Sequence, residues 1–234
     1  MLGRYTEGPF CTSMGKMDAS IEARFAAVAR SKTFKNLRSY AGLEQRAVLD
    51  LGCSYGEFLT HFGPHSVGVT IEPKEVAYGK EKGLDIREGN IEDPHFAIAE
   101  QFDAIFANNL FEHLYSPHAF LIKLKEFVGP EGTLVLGVPC IPKIVSLLRL
   151  KKFRGSLAGG HINFFTKDTL CHTVLQAGWR VECVRGFRFV NPFLDHLLDF
   201  IYPHFYVVAR PDPQFAYSEK RLKELAGYAK STHA

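Results

Sequence analysis

None of the five cysteines, Cys11, Cys53, Cys140, Cys171 and Cys183, is spaced as CxxC with another. An odd, scattered set argues against a disulfide framework and against a thiolate zinc site, and suits a reducing compartment, so a cytoplasmic location is expected. The sequence also lacks an uninterrupted apolar run of about 18 residues, and its opening, MLGRYTEGPFCTSMGKMD, has no apolar block. A transmembrane helix and a signal peptide are therefore not expected. Charge of one sign is scarce: 28 Lys and Arg against 25 Asp and Glu give a net charge of +3. That is too mild for a dedicated nucleic-acid binder, which carries a concentrated basic face. The dinucleotide fingerprint GxGxxG is absent as well.

What is present is ordinary for one globular domain with decorations: 234 residues, 46% hydrophobic and 23% charged, enough to bury one sizeable core. The stretch Arg46 to Leu59, RAVLDLGCSYGEFL, organises it. An apolar run ends in Asp50, passes through a loop holding Gly52 and Gly56, and becomes apolar again at Phe58 and Leu59, which reads as strand, tight turn and helix start. Glycines there let the backbone approach a small ligand, which the N–H groups of a following helix can face.

Residues 1–17 read as an irregular arm, and a helix capped by Asp18 or Ser20 follows, with Ile21, Phe25, Val28 and Ala29 on one face. After the glycine loop come a strand at His65–Ile71, a helix at Lys74–Lys82 ended by Gly83, and strands at Leu84–Arg87 and Gln101–Ala107. Pro117–Val128 forms an amphipathic helix closed by Gly129 and Pro130, and Thr133–Val138 a strand. A helix from Thr166 or Lys167 to Ala177 and strands at Trp179–Val184 and Phe205–Ala209 complete seven strands. Alternation with two strands at the end predicts an α/β fold: a mostly parallel seven-stranded sheet, helices on both faces and an antiparallel last strand. Ligands of such sheets sit beyond the carboxyl ends of the strands where strand order reverses, which is where Asp50–Gly56 falls.

In this order and spacing VLDLGCSYG, VGVTIEP, GNIED, FDAIFANNLFEHL, GTLVLGVP and HINFFTKDTL resemble the successive motifs of Rossmann-like class I S-adenosylmethionine-dependent methyltransferases, above all the broad small-molecule group. The resemblance covers Arg46 to Arg185. It implies S-adenosylmethionine across the carboxyl ends of the first four strands, with S-adenosylhomocysteine as product. It places Asp50 near the methionine amino end over a loop of Gly52, Cys53, Ser54 and Gly56, Ser54 standing where the family has its middle glycine. The family's ribose-binding acid is Thr70 here; Ile71 follows, and Glu72, two residues on and on the same side of an extended segment, is the replacement expected. Asn90 and Ile91 fall at the adenine, the Asn90 carbonyl accepting from its amine. Asn108, Asn109 and Leu110 fall beside the sulfonium.

Methyl transfer needs a base only when the acceptor must lose a proton; otherwise alignment suffices. The candidate catalytic bases are His161 in GGHINFF and His113 in FEHLYSP, since imidazole titrates near neutrality. Each has a structural alternative, a ring bonded to loop backbone. Glu112, His113 and His161 also resemble the metal set of RNA 2′-O-methyltransferases, but those carry a carboxylate where this chain has Asn109, a poor substitute for an anionic ligand, so no metal is expected.

The expected layout is an arm and helix over 1–45, the methyltransferase domain over 46–210 with a substrate lid at 141–160 and an insertion at 188–204, and a tail helix over 211–234. Lys143, Arg149, Lys151, Lys152 and Arg154 make the lid basic and amphipathic, fit to select an anionic acceptor, to rest on a membrane surface or to be merely solvated. The Phe- and Leu-rich Asn191–Phe205 fits a pocket wall or a dimer interface. The reading is methyl transfer to a small-molecule acceptor, anionic or partly apolar, most naturally on oxygen, by a monomer or homodimer. A nucleic-acid methyltransferase and a non-catalytic cofactor-binding protein are the alternatives.

Overall fold

A computed structural model describes residues 10–147 and 160–223. Residues 1–9, 148–159 and 224–234, and with them the start of the arm, most of the lid and the end of the tail helix, lie outside the described residues. In chain order the elements are α1 (Phe10–Arg30), α2 (Lys32–Ala41), β1 (Val48–Leu51), β2 (Val67–Thr70), α3 (Pro73–Lys82), β3 (Ile86–Glu88) and β4 (Phe102–Asn108). Then come α4 (Pro117–Leu124), β5 (Val128–Pro139), α5 (Lys143–Leu147), α6 (Lys167–Gln176), β6 (Trp179–Arg185), α7 (Pro192–Leu198) and β7 (His204–Pro211).

The central strands are apolar on both sides, and their alternation sends successive side chains to two cores. Leu49 and Leu51 of β1, Ile105 and Ala107 of β4, and Leu134 and Leu136 of β5 join one cluster; Val48, Ala104, Phe106 and Val135 join the other. Helices must therefore cover both faces. Phe120, Leu121 and Leu124 of α4 and Leu170 and Val174 of α6 close the first core, while Phe34, Leu37 and Ala41 of α2 close the second. The strand order is β3-β2-β1-β4-β5-β7-β6, all neighbours parallel except that β7 runs antiparallel to both β5 and β6. Order reverses between β1 and β4, and Leu51 pairs with Val69 on one side and Ala107 on the other, so the carboxyl ends of β2, β1 and β4 finish level around the glycine loop.

Three local expectations are corrected. The helix predicted after the glycine loop is a single 3₁₀ turn, Leu59–His61. The first helix begins at Phe10 rather than at a cap on Asp18 or Ser20, running through Gly15, whose cost of about 1 kcal/mol one helix can absorb. Gly129 and Pro130 do not close α4, which tightens into a 3₁₀ turn at Lys125–Phe127; both residues belong to β5. Between β6 and β7 the insertion forms the short helix α7, which Asn191 caps by accepting from the Phe193 N–H.

Candidate functional site

The loop after β1 bends back by taking positive φ at Gly52 (71°), Ser54 (50°) and Gly56 (87°). The Gly52 and Cys53 N–H groups donate to the Val69 carbonyl at 2.9 and 3.1 Å, tying the loop to β2. Ser54 occupies a left-handed conformation that favours glycine, at a cost of roughly 1–2 kcal/mol. Its hydroxyl offsets that cost, accepting from Arg24 Nη2 at 3.0 Å and donating to Glu75 Oε1 at 2.8 Å. Arg24, from α1, also pairs with the buried Glu57 and lies over the Tyr55 ring. Gly56 is a packing glycine: a Cβ there would stand 2.9 Å from Leu84 Cδ1. Cys53 is buried against Gly68. Asp50 lies buried beneath the loop with Oδ2 unbonded, and burial together with Glu57 pushes its carboxyl well above the usual range.

At the end of β2 the expected Glu72 is solvent-exposed and pairs with Lys74 at 3.5 Å. Turning one residue-turn later, the first turn of α3 brings in Glu75 instead. This buried carboxylate accepts from Thr70 Oγ1 at 2.5 Å as well as from Ser54. The Thr70 oxygen in turn accepts from the Glu72 N–H at 3.2 Å. Asn90 makes an Asx turn, its Oδ1 accepting from the Glu92 N–H at 3.0 Å, so that oxygen is already engaged where an adenine contact was expected.

Of Asn108, which ends β4, and Asn109 and Leu110 after it, only Leu110 faces the cavity. Asn108 is wedged against Gly137, where a Cβ would lie 2.2 Å from its Oδ1, an atom without a hydrogen-bond partner. Asn109, at φ 54°, turns toward β7. Burial pushes the His204 imidazole down to about 4, and the neutral ring donates Nε2–H to Asn109 Oδ1 at 3.0 Å.

Glu112, His113 and His161 come together across 48 residues of sequence because the second segment hangs on the first: Ile162 and Asn163 N–H both donate to the Glu112 carbonyl at 3.0 Å. The two imidazoles meet edge to face at 4.8 Å, and their Nε2 atoms stand 3.9 and 3.8 Å from Glu112 Oε1. Glu112 is 1% exposed, neither carboxylate oxygen has a hydrogen-bond partner, and burial raises its pKa. Burial and the neighbouring His161 lower that of His113, so its ring is neutral at pH 7. One donor atom from each residue fits within 4.8 Å of the others.

A cavity of about 340 Å³ lies over these ends. Of the predicted site it takes in Gly52, Ser54, Thr70, Ile71, Asn90, Ile91, Leu110 and His113; Asp50, Cys53, Gly56, Glu72, Asn108, Asn109 and His161 stand behind or beside it. Sequence reasoning missed Glu75, Tyr115 and Arg24. A helix start three residues past Thr70, at Pro73, which puts Glu75 in the first turn, was the available signal.

A doubly wound sheet in this order, with a glycine loop at the switch point and β7 antiparallel beside β5, is the fold of Rossmann-like methyltransferases. The chain belongs to the methyltransferase domain family, whose match spans residues 22–184. It is similar to the mitochondrial ubiquinone biosynthesis O-methyltransferase of Schizosaccharomyces pombe, 25% identical over 67% of this chain and 62% of that protein. It is also similar to the ubiquinone biosynthesis O-methyltransferase of Actinobacillus pleuropneumoniae serotype 5b, 35% identical over 40% of this chain and 45% of that one. The chain thus spans about half the length of these curated relatives. Among solved structures, a Haloferax volcanii methyltransferase in complex with the Trm112 activator superimposes with TM-score 0.61 at 15% identity, covering 83% of this chain and 96% of that one. The DhpI–SAH complex does so with TM-score 0.58 at 18% identity, covering 86% and 92%. Both show the fold.

Proposed function

We propose that the chain transfers the methyl group of S-adenosylmethionine to a hydroxyl oxygen of a small, partly apolar or anionic acceptor. One observation carries this reading: a single cavity at the carboxyl ends of β2, β1 and β4 has the Glu75 carboxylate on the β2 side and the His113 imidazole on the β4 side. The first suits a ribose, the second an acceptor proton. S-adenosylmethionine supplies a methyl group on a sulfonium, already activated for displacement. The chain's own residues then bind, align and deprotonate. Gly52 and Ser54 form the floor; Glu75 stands in for the ribose acid that Thr70 lacks; Ile91 and Asn90 flank the adenine position. Asp50, with an oxygen unbonded under the loop, takes the amino-acid end, where a cationic amine would favour its ionised form. His113, neutral and facing the cavity, accepts the hydroxyl proton, and His161 with Glu112 backs its ring. The curated relatives are O-methyltransferases by name, which favours oxygen as acceptor atom.

Titration calorimetry with S-adenosylhomocysteine tests the cofactor half, and saturable binding is expected. Glu75→Gln should weaken it by about 10–100-fold, the worth of a charge-assisted hydrogen bond, while Glu72→Gln leaves it unchanged. No binding to folded wild type refutes the reading. An effect of Glu72 rather than Glu75 returns the ribose contact to the position expected from sequence.

The two unbonded oxygens of Glu112 beside two imidazoles favour a second reading of the acceptor end. There Glu112, His113 and His161 hold a divalent cation, which would polarise the acceptor oxygen. Three donors within reach fit such an ion, with Asn109 turned away to His204. Titration of metal-stripped protein with Mg²⁺, Mn²⁺ and Zn²⁺ decides between them: binding lost in Glu112→Gln supports the cation, and no binding leaves His113 as the base.

A further inference from the structure

Three carboxylates are buried around the loop after β1: Asp50 is 2% exposed, Glu57 5% and Glu75 8%. Cys53 sits among them, and burial together with Asp50, Glu75 and Glu57 pushes its thiol up. Buried anions need partners, because desolvation penalises each charge. Among the described residues Arg24 is the one cation that pairs with any of the three. It comes from outside the loop, on α1, and makes both of its bonds there with one atom. Nη2 pairs with Glu57 Oε1 and donates to Ser54 Oγ at 3.0 Å. Ser54 in turn donates to Glu75 Oε1 at 2.8 Å. A hydroxyl that accepts from Arg24 has its single proton left for Glu75, and each bond of such a chain polarises the next.

The helix that carries Arg24 is lightly held. Of residues 19–30 only Ile21 is buried. Phe25 meets Tyr78 of α3 with ring centroids 6.1 Å apart, and Val28 packs on the second core. The Arg24 guanidinium, 5.5 Å over the Tyr55 ring, is what fastens α1 to the loop itself. An element with so few buried side chains opens at low cost, so its docking responds to whatever fixes the surface on which it rests.

We propose that Arg24 is a positioning residue for Glu75, acting through Ser54, and that the docking of α1 and the occupation of the cavity strengthen each other. The coupling is reciprocal by necessity. A ligand on Glu75 fixes the Ser54 hydroxyl and with it α1; a docked α1 fixes the carboxylate for the ligand. Ser54 and Glu75 line the cavity and Arg24 does not, so Arg24 acts on a bound cofactor through the loop. This inference rests on the reading above, in which S-adenosylmethionine places its ribose at Glu75.

Calorimetry with S-adenosylhomocysteine on the full chain, joined to hydrogen exchange of the α1 amides, tests it. Arg24→Met keeps an apolar stem over Tyr55 and removes the charge; affinity should fall about 5–20-fold, within the usual range for coupled sites. Arg24→Lys should stay within about threefold of wild type, since both bonds leave one nitrogen and an ammonium carries donors enough for both. At saturating ligand, exchange over residues 20–30 should slow by about fivefold or more in wild type and R24K but not in R24M, while the amides of α6 exchange alike in all three. The wild-type exchange measurement requires no variant to fold. Unchanged affinity in R24M beside a weakened E75Q overturns the inference and leaves the cofactor reading standing. R24K as weak as R24M overturns the relay. Exchange in α1 that the ligand leaves unaltered, or slows no more than in α6, overturns the coupling. No binding to folded wild type refutes the cofactor reading, and the inference with it.

Discussion

The two sides of the cavity are built in different ways. On the β1–β2 side the cavity-lining contacts lie close in sequence: the Asp50–Gly56 loop, Thr70 and Glu75 fall between β1 and the first turn of α3, and Ser54 and Thr70 both donate to Glu75. On the β4 side Glu112 and His113 meet His161 only because the chain returns after α5 and hangs on the Glu112 carbonyl. The first side is preassembled around the bonded Ser54, Thr70 and Glu75 side chains, with Asp50 Oδ2 and Glu57 Oε2 left without a partner beneath the loop. The second keeps a buried carboxylate with two unbonded oxygens. Satisfied polar groups fix a site's shape, whereas unsatisfied ones are expensive and persist where a ligand or reaction uses them. On the function proposed above, the loop side binds and the histidine side reacts.

The largest expected effect separates those roles. His113→Ala should lower kcat by about 10²–10⁴-fold, the usual worth of a positioned base, and leave S-adenosylhomocysteine affinity within about twofold. Comparable losses in both would mean that the two sides are one unit. Glu112→Gln should also depress kcat, through loss of ring positioning, with cofactor affinity again preserved. Turnover and calorimetry on the same preparations make the comparison.

Next in size is a pH effect behind the histidine side. His204 is pushed down to about 4 from an ordinary 6.5. The unfolded chain therefore binds a proton there before the folded one does. Stability is whole above pH 6.5, declines as pH falls, and levels off below 4, with a loss of about 3 kcal/mol from this group. His204→Gln, which keeps a donor for Asn109, should flatten that decline. Chemical denaturation of both proteins at pH 7 and pH 4 measures it, and parallel losses would mean that His204 is not shielded from water.

The sequence was most legible where function and local structure coincide. A glycine loop between an apolar strand and the next β-branched strand announces itself, because backbone geometry restricts which residues stand there, and all seven strands were read from alternation and turn residues. Glu75 was not legible for a reason of geometry. In an extended strand the residue two after Thr70 shares its side, which favoured Glu72, but Pro73 starts α3 at once, and the helical turn swings position 75 back under the loop while Glu72 points to solvent. Arg24 falls outside the apolar face of Ile21, Phe25, Val28 and Ala29; only the tertiary fold shows it meeting Glu57 and Ser54. The juxtaposition of Glu112 with His161 depends on a chain return that no local pattern encodes. Long-range hydrogen bonds to one carbonyl create it.

The smallest effect bears on whether the loop side is as preassembled as its bonds suggest. Ser54 stands where glycine would adopt φ 50° freely. Ser54→Gly relieves roughly 1–2 kcal/mol of left-handed strain, but it removes hydroxyl bonds to Arg24 and Glu75, one of them to a buried carboxylate. Those bonds are worth about 1.5–3 kcal/mol each when one partner is charged, and glycine adds about 0.5–1 kcal/mol of backbone entropy to be lost on folding. The bonds outweigh the strain, so the variant should be less stable by about 2 kcal/mol or more and bind S-adenosylhomocysteine a few-fold more weakly, since Glu75 loses an anchor. Equilibrium denaturation and calorimetry read both numbers. A variant more stable than wild type would mean that the strain dominates, and that Glu75 is held by Thr70 alone.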